Sequence, residues 1–277
     1  MVFLQETILR EVAAMDLQMA GQVAVVTGSS HGIGSGIAKV LAREGVSVVV
    51  NYARDREGAE SVRAAIEAEG GKASVFRADV GDPAAAAALV AHALDRFGRL
   101  DILVNNAGLM GRTSFLETTQ EEFDRIINTN LKGPWNCSQA AARHMVQARY
   151  GRILHCSSLA ATLPSAGHAA YAASKSGIHG LTKVMAGELA PYNILVNAYL
   201  PGTFETPMSA PAMKVRGEEI LSQIPLRRLG KPEEMGHLVA FLVSPLNSYM
   251  SGTVVDVIGG KLIIQNPMKP WKDAGLL

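Results

Sequence analysis

Apolar residues recur along this chain with two periods that alternate. Short β-branched runs at Val23–Thr27, Val46–Val50, Ala73–Phe76, Leu100–Val104, Ile153–Cys156, Ile194–Tyr199 and Thr253–Val257 predict seven strands. Between them apolar positions return every three or four residues, as Ile37, Val40 and Leu41 do ahead of Gly45, and predict helices. Helix ends are marked by Gly70-Gly71, by Asp82 as N-cap before Pro83, and by the capping-box pattern Thr119-Gln120-Glu121-Glu122. Pro134 is expected to end or kink the helix that carries Phe123, Ile126, Ile127 and Asn130. Two more helices are predicted over Ala169–Leu189 and Pro232–Val243.

Seven strands joined by six crossovers predict an α/β fold: a single-domain, doubly wound, mainly parallel sheet of the Rossmann type with helices on both faces. Residues 21–260 make this unit, with a 1–20 N-terminal extension and a 261–277 C-terminal tail. In the extension Leu4, Ile8 and Val12 repeat at helical spacing, while Glu6, Arg10, Glu11 and Asp16 interrupt any signal-peptide core. Met15 offers an alternative start just ahead of the first strand. Pro201 to Ile224 shows little periodicity and follows a strand end, which suggests a lid over a ligand site.

Composition narrows the function. A hydrophobic fraction of 48% with only 5% aromatics describes a core of Ala, Val, Ile and Leu, as a helix-covered parallel sheet requires. A formal net charge of +1 gives no electrostatic reason to expect nucleic acid or an anionic membrane. No apolar run approaches the roughly 18 residues of a membrane span. Cys137 and Cys156 form no disulfide framework, so a reducing, cytoplasmic setting is expected, and the seven histidines lack metal-ligand spacing.

The chemistry starts with Tyr171-Ala172-Ala173-Ser174-Lys175. A tyrosine and a lysine four apart share a helix face, so the ammonium acts on the phenol. Lowering a phenol by about 3 pKa units takes about 4 kcal/mol, the order that one cation at about 4 Å supplies in a partly screened site. Ser158 ends an apolar run and is placed to meet that phenol from a neighbouring strand end. Gly28, Gly32 and Gly34 lie at the first strand-to-helix turn, where backbone amides and the helix N-terminus receive a pyrophosphate. The second strand ends in Asn51-Tyr52-Ala53-Arg54, without the acid that holds ribose hydroxyls in NAD sites. With Arg54, Arg56 and His31 near, NADP is the expected cofactor and NAD the alternative.

In this order the motifs Thr27-Gly28-Ser29-Ser30-His31-Gly32-Ile33-Gly34, Asp79-Val80, Asn105-Asn106-Ala107-Gly108, Asn130, Ser158, Tyr171 to Lys175 and Pro201-Gly202 resemble the short-chain dehydrogenase/reductase family over nearly all of Gln22 to Gly260. The resemblance implies a hydride-transferring oxidoreductase that interconverts a secondary alcohol with a ketone or lactone. Tyr171 is then the general acid/base, Lys175 lowers its pKa and holds the nicotinamide ribose, Ser158 binds the substrate oxygen, and Asn130 positions a water. Gly28, Ser29, Ser30, His31, Ile33, Gly34, Asn51, Tyr52, Arg54, Asp79, Val80, Asn106, Ala107, Gly108, Pro201, Gly202 and Thr206 are the expected cofactor contacts, with Tyr171 and Lys175.

The strand end Val48 to Tyr52 and the tail look like sugar and polyol dehydrogenases, including glucose 1-dehydrogenase. The stretch Pro225 to Glu234 is similar to 3-oxoacyl-carrier-protein reductases. A catalytically silent cofactor sensor or scaffold is the reading from another class. Substrate contacts are expected from Leu109–Thr113, Leu159–His168 and the lid, with Met110, Leu163, Pro164, Phe204 and Met208 making the site apolar. Tyr199 and Leu200 are expected to narrow the floor near the nicotinamide. Ile263, Ile264 and Trp271 of the tail are expected to cover the site or a neighbouring subunit, or to remain loosely ordered. The resemblance also implies a homotetramer through the helices after Thr119 and Ala169 and the last strand. Plainer readings make His168 a solvated loop residue, Cys156 a strand-buried thiol, and Arg143, Arg149 and Arg152 a solvated face rather than a dock for an acidic carrier protein.

Overall fold

Alternation of side chains along buried strands sends apolar residues to both faces of a sheet, and this chain has such strands throughout. The computed structural model describes residues 15–277, so the helix expected over Leu4, Ile8 and Val12 lies outside the described residues. The strands are β1 (Val23–Val26), β2 (Ser47–Tyr52), β3 (Ala73–Arg77), β4 (Ile102–Asn105), β5 (Gly151–Cys156), β6 (Ile194–Pro201) and β7 (Val254–Val257). They pair in the order β3-β2-β1-β4-β5-β6-β7, parallel at every junction. Ala24, Val26, Val48, Val50, Ile102, Val104 and Leu154 fill one face, and Val23, Val25, Val49, Leu103, Ile153 and Val196 fill the other. Both faces must therefore be covered, which is why parallel crossovers suit this sequence.

Helices α1 (Gly32–Arg43) and α2 (Arg56–Ala68) lie over the first face, and α3 (Pro83–Phe97) over the second. Asp82 caps α3 by accepting from the Ala84 and Ala85 amides, as predicted, and Gly98 at φ 79° ends it.

Of the end or kink expected at Pro134, the end does not occur in the helix after Thr119. Instead α4 (Gln120–Ile127) runs through a π-helical turn at Asn128–Lys132 directly into α5 (Gly133–Ala148). A proline ring lacks an N–H and collides with the carbonyl four residues back. The widened turn, in which the Gly133 amide reaches Asn128 five residues earlier, relieves that conflict without ending the helix. Only half of the predicted capping box forms, because Glu122 accepts from Thr113 Oγ1 instead of returning to Thr119.

Then follow α6 (Ala169–Leu189), α7 (Ala210–Ser222), α8 (Pro232–Val243) and α9 (Lys269–Asp273). The stretch expected to be irregular holds α7, broken at Arg216 where φ and ψ are −142° and 41°. None of its residues is buried, so no apolar stripe announced it. The tail folds back, and Trp271 Nε1 donates to the Pro225 carbonyl at 2.8 Å, while Ile263 and Ile264 stay exposed. Arg152 does not belong to a solvated face: it is 4% exposed, and it donates to the Gly151, Asn193 and Asn247 carbonyls. No helix among the described residues is long and apolar enough to cross a membrane.

Candidate active site

Strand order reverses between β1 and β4, whose chains leave toward opposite sides and open a crevice at their carboxyl ends. A cavity of about 750 Å³ lies along that edge, within the size range of nucleotide and substrate sites. Its floor is the turn after β1. Gly28 and Gly32 have φ of 60° and 58°, a conformation that side chains resist. A Cβ on Gly28 would sit 2.8 Å from Ala107 Cα, and one on Gly32 would sit 3.2 Å from Thr206 Cγ2. Such a cradle of backbone at the start of α1 fits a pyrophosphate.

The turn is held from both sides. Thr27 Oγ1 accepts from the Asn106 and Ala107 amides at 2.9 and 3.0 Å, and Asn106 Nδ2 donates to the Thr27 and Gly28 carbonyls. Tyr199 donates its phenol to Asn106 Oδ1 at 3.0 Å. Tyr199 and Leu200 therefore do not narrow the floor; both are buried and neither lines the cavity. Burial holds the Tyr199 phenol well above its ordinary pKa, with Cys156 adding to the effect, so it serves as a neutral donor.

Two other expected contacts take structural work instead. Ser29 has no exposure; it donates to the Val26 carbonyl and accepts from the Asn51 amide. Asn51 lines the cavity, but its Oδ1 receives the Gly28 amide and its Nδ2 donates to the Phe76 and Ala78 carbonyls. Gly28, Ser30, His31, Ile33, Gly34, Tyr52, Arg54, Asp79, Val80, Asn106, Ala107, Gly108, Pro201, Gly202 and Thr206 all line the cavity.

Asp55 is the residue the sequence reading passed over. It lies one position beyond Arg54 and lines the same end of the cavity. Its role as N-cap of α2 was the available signal: it accepts from the Gly58 amide at 2.9 Å, and its other oxygen is 3.4 Å from His31 Nδ1. The Gly58 amide first, and then His31 and Ser30, hold its carboxyl below the usual range.

At the opposite end α6 brings Tyr171 and Lys175 to the cavity, facing Ser158 at the end of β5. Lys175 Nζ lies 5.8 Å from the Tyr171 ring centre and donates to the Cys156 carbonyl at 2.7 Å, so its placement is fixed by the strand end. Ser158 Oγ accepts from the Ala160 amide, opening a short 3-10 turn at Leu159–Ala161. Asn130 does not line the cavity. Buried in the π-helical turn, it accepts from the Leu109 amide at 2.7 Å and donates to the Leu109 carbonyl at 2.8 Å and to Ser174 Oγ at 3.2 Å.

No residue of Leu159–His168 lines the cavity; Leu163 is exposed and His168 donates from Nδ1 to the Gly111 carbonyl at 2.7 Å. His168 is thus half-buried and pins the loop after β4, rather than being a solvated loop residue. Cys156 is buried as expected yet also borders the cavity. Met110, Phe204 and Met208 line the substrate end, joined by Arg112, Arg216 and Lys261, which makes it less apolar than expected.

A dinucleotide cradle and a Tyr–Lys pair at one reversal point define a nicotinamide-dependent oxidoreductase, and comparison with known proteins sharpens this class. Residues 28–261 match the family described as Enoyl-(Acyl carrier protein) reductase. The chain is 41% identical over 237 residues to the 3-oxoacyl-[acyl-carrier-protein] reductase FabG of Staphylococcus aureus, covering 86% of this chain and 96% of that one. A candidate short-chain alcohol dehydrogenase from Sinorhizobium meliloti superposes with a TM-score of 0.85 at 39% identity, covering 89% and 98% of the two chains. A candidate NAD(P)-dependent gluconate 5-dehydrogenase from Beutenbergia cavernae, with NADP bound at low occupancy, gives 0.84 at 35% identity over 89% and 98%. The chain belongs to the short-chain dehydrogenase/reductase family and is an NAD(P)-dependent oxidoreductase acting on CH–OH groups.

Proposed function

We propose that this enzyme interconverts a small secondary alcohol and its ketone or lactone with NADP(H), using Tyr171 as general acid/base. The observation that carries the reading is that Tyr171, Lys175 and Ser158 share one cavity with the glycine turn. When bound, the nicotinamide gives or takes the hydride, so the protein has one proton to manage and one carbon to orient. Tyr171 exchanges that proton with the substrate oxygen, Ser158 donates a hydrogen bond to the same oxygen, and Lys175 favours the phenolate. Asn130 acts one layer back, holding Leu109 and Ser174 around them. Asp79 and Val80 would hold the adenine, Asn106 to Gly108 the ribose, and Pro201, Gly202 and Thr206 the carboxamide.

NADP is favoured because Arg54 and His31 line the adenosine end while the Asp55 carboxylate there is already taken by Gly58 and His31. An acid so engaged is poorly placed to hold two ribose hydroxyls, as an NAD site needs. A second reading, reduction of 3-oxoacyl thioesters, is supported by the 41% identity to FabG. Against a carrier dock at Arg143, Arg149 and Arg152 stands the burial of Arg152. A homotetramer is supported by exposed Phe123, Trp135 and Val184 on α4, α5 and α6. A silent sensor is disfavoured because Tyr171, Lys175 and Ser158 are all present.

Tyr171→Phe is the decisive variant. Following NADPH absorbance with a panel of ketones, sugars, polyols and 3-oxoacyl thioesters, kcat should fall by at least about 100-fold while NADPH still binds. Near-normal kcat in the variant would remove Tyr171 from the mechanism.

A further inference from the structure

The two ends of the cavity differ in charge. Toward β2 and β3 its lining includes the carboxylates of Asp55 and Asp79 beside His31 and Arg54. Toward β6 and β7 the charged lining residues are Lys175, Arg216 and Lys261, with Arg112 and Arg125 lining the cavity from the segments after β4 and no carboxylate at this end among the described residues. Lys175 already has its place on the Cys156 carbonyl, and Arg112 and Arg125 stand on the segments after β4, which leaves Arg216 and Lys261 on the lid and the tail.

Both are held at the cavity by the backbone. Ala212, Arg216 and Ile220 of α7 all line the cavity, with Arg216 at the break in the helix and its side chain 56% exposed. The acid paired with Arg216 is Glu219, 4.0 Å away and 58% exposed. Lys261 leaves β7 through Gly259 and Gly260, at φ of 62° and 82°, and its amide bonds the Ile258 carbonyl. Lys261 takes part in no ion pair among the described residues, and it is half-buried. Burial first, and then the Arg216 guanidinium, hold its ammonium below the ordinary lysine range, which places the two cations within each other's field.

Two like charges facing one cavity repel, and half-burying a lysine without a carboxylate costs further free energy. Arg216 does not repay this through the fold, since α7 buries none of its side chains. The phosphates of the cofactor do not account for Lys261 either. Lys261 follows β7, four strand spacings or about 19 Å from β1 and its glycine turn, and the 2′-phosphate position beyond β2 is farther still.

Resting on the reductase reading above, we propose that Arg216 and Lys261 form an anion subsite, and that the substrate is a ketone or secondary alcohol bearing a carboxylate or phosphate. The anion would seat against the lid and the tail while the reacting carbon meets Tyr171 and Ser158. A charge so placed sets both which substrates enter and which way round they lie.

Matched pairs test this with the full-length enzyme and NADPH: 4-oxopentanoate against its methyl ester, and dihydroxyacetone phosphate against dihydroxyacetone. In at least one pair the anion should be preferred about tenfold or more in kcat/KM, chiefly through KM. Arg216→Met and Lys261→Met should each lower the anion-to-neutral ratio about tenfold, with Arg216→Lys losing less. Equal use of both members of each pair, or equal loss on both in the variants, would overturn the subsite. The two pairs also separate carboxylate from phosphate. Calorimetric titration of the NADPH-loaded enzyme with glutarate and with inorganic phosphate needs no turnover. Binding of either that weakens in Lys261→Met supports the subsite even if no ketone consumes NADPH, in which case the reductase reading fails alone. Absence of binding of both by the wild type overturns the subsite even if the neutral ketones are reduced.

Discussion

His155 shows how one residue can tie the stability of this fold to pH. It has no exposure on β5, lies 3.1 Å from Asn105 Nδ2 through Nδ1, and leaves Nε2 without a protein partner. Burial, with the Lys175 charge adding to it, pushes His155 down to about 3. An unfolded chain takes that proton near pH 6.5, so from there down to about pH 3 the unfolded state binds more protons than the folded one. Stability is complete above the unfolded value and falls as pH drops below it, by up to about 1.4 kcal/mol per pH unit. Urea midpoints measured between about pH 7 and about pH 5, above most carboxylate titration, should decline in the wild type and decline less in His155→Gln. An unchanged slope in the variant would assign the effect to other groups. His92 and His179, also lowered by burial, contribute with the same sign. At this scale the sequence was legible where chemistry repeats a spacing, as in Tyr171 and Lys175. It was misleading where a side chain's face mattered: Tyr199 was expected in the floor, but β6 turns it into the core, where it meets Asn106.

Among the elements, the π-helical turn is the one whose loss is most informative. Asn130 satisfies both polar groups of Leu109 from inside that turn. Asn130→Ala should leave them half-buried and without their protein partner, costing about 1 to 2 kcal/mol, visible as a lower urea midpoint. The loop after β4 borders the cavity, so KM should rise as well, and an unchanged midpoint would show the Leu109 clamp to be dispensable. Strands and core-facing helices were readable because burial on both sheet faces writes itself as apolar periodicity, and Ala169–Leu189 and Pro232–Val243 appear with the expected ends. The π-helical turn was not readable, since Pro134 reports only that an ordinary helix cannot continue. Nor was α7, which has no buried face to impose a period.

For the molecule as a whole, cofactor binding and folding are linked by mass action. A ligand at about 100 times its Kd stabilises the folded state by about 2.7 kcal/mol. NADPH should therefore raise the melting temperature more than NADH at equal concentration, and equal shifts would contradict the preference argued from Arg54, His31 and the engaged Asp55. The overall topology followed from the alternation of strands and helices alone, because right-handed parallel crossovers leave few other arrangements. Cation placement did not, because Arg216 and Lys261 are 45 positions apart in sequence and meet only through the fold.

The unburied α7 carries one more implication. The groups assigned to proton transfer stand on β5 and α6, elements whose apolar neighbours anchor them in the core, whereas Arg216 and its neighbours ride on a helix that contributes little to folding. Random change in α7 therefore tests new substrates at small risk of collapse, while change at the strand ends seldom survives. If the proposed subsite holds, selectivity and reaction are inherited as nearly separate traits, and directed evolution toward a new alcohol is best begun by randomising Met208 to Ile220 with Tyr171, Lys175 and Ser158 kept intact.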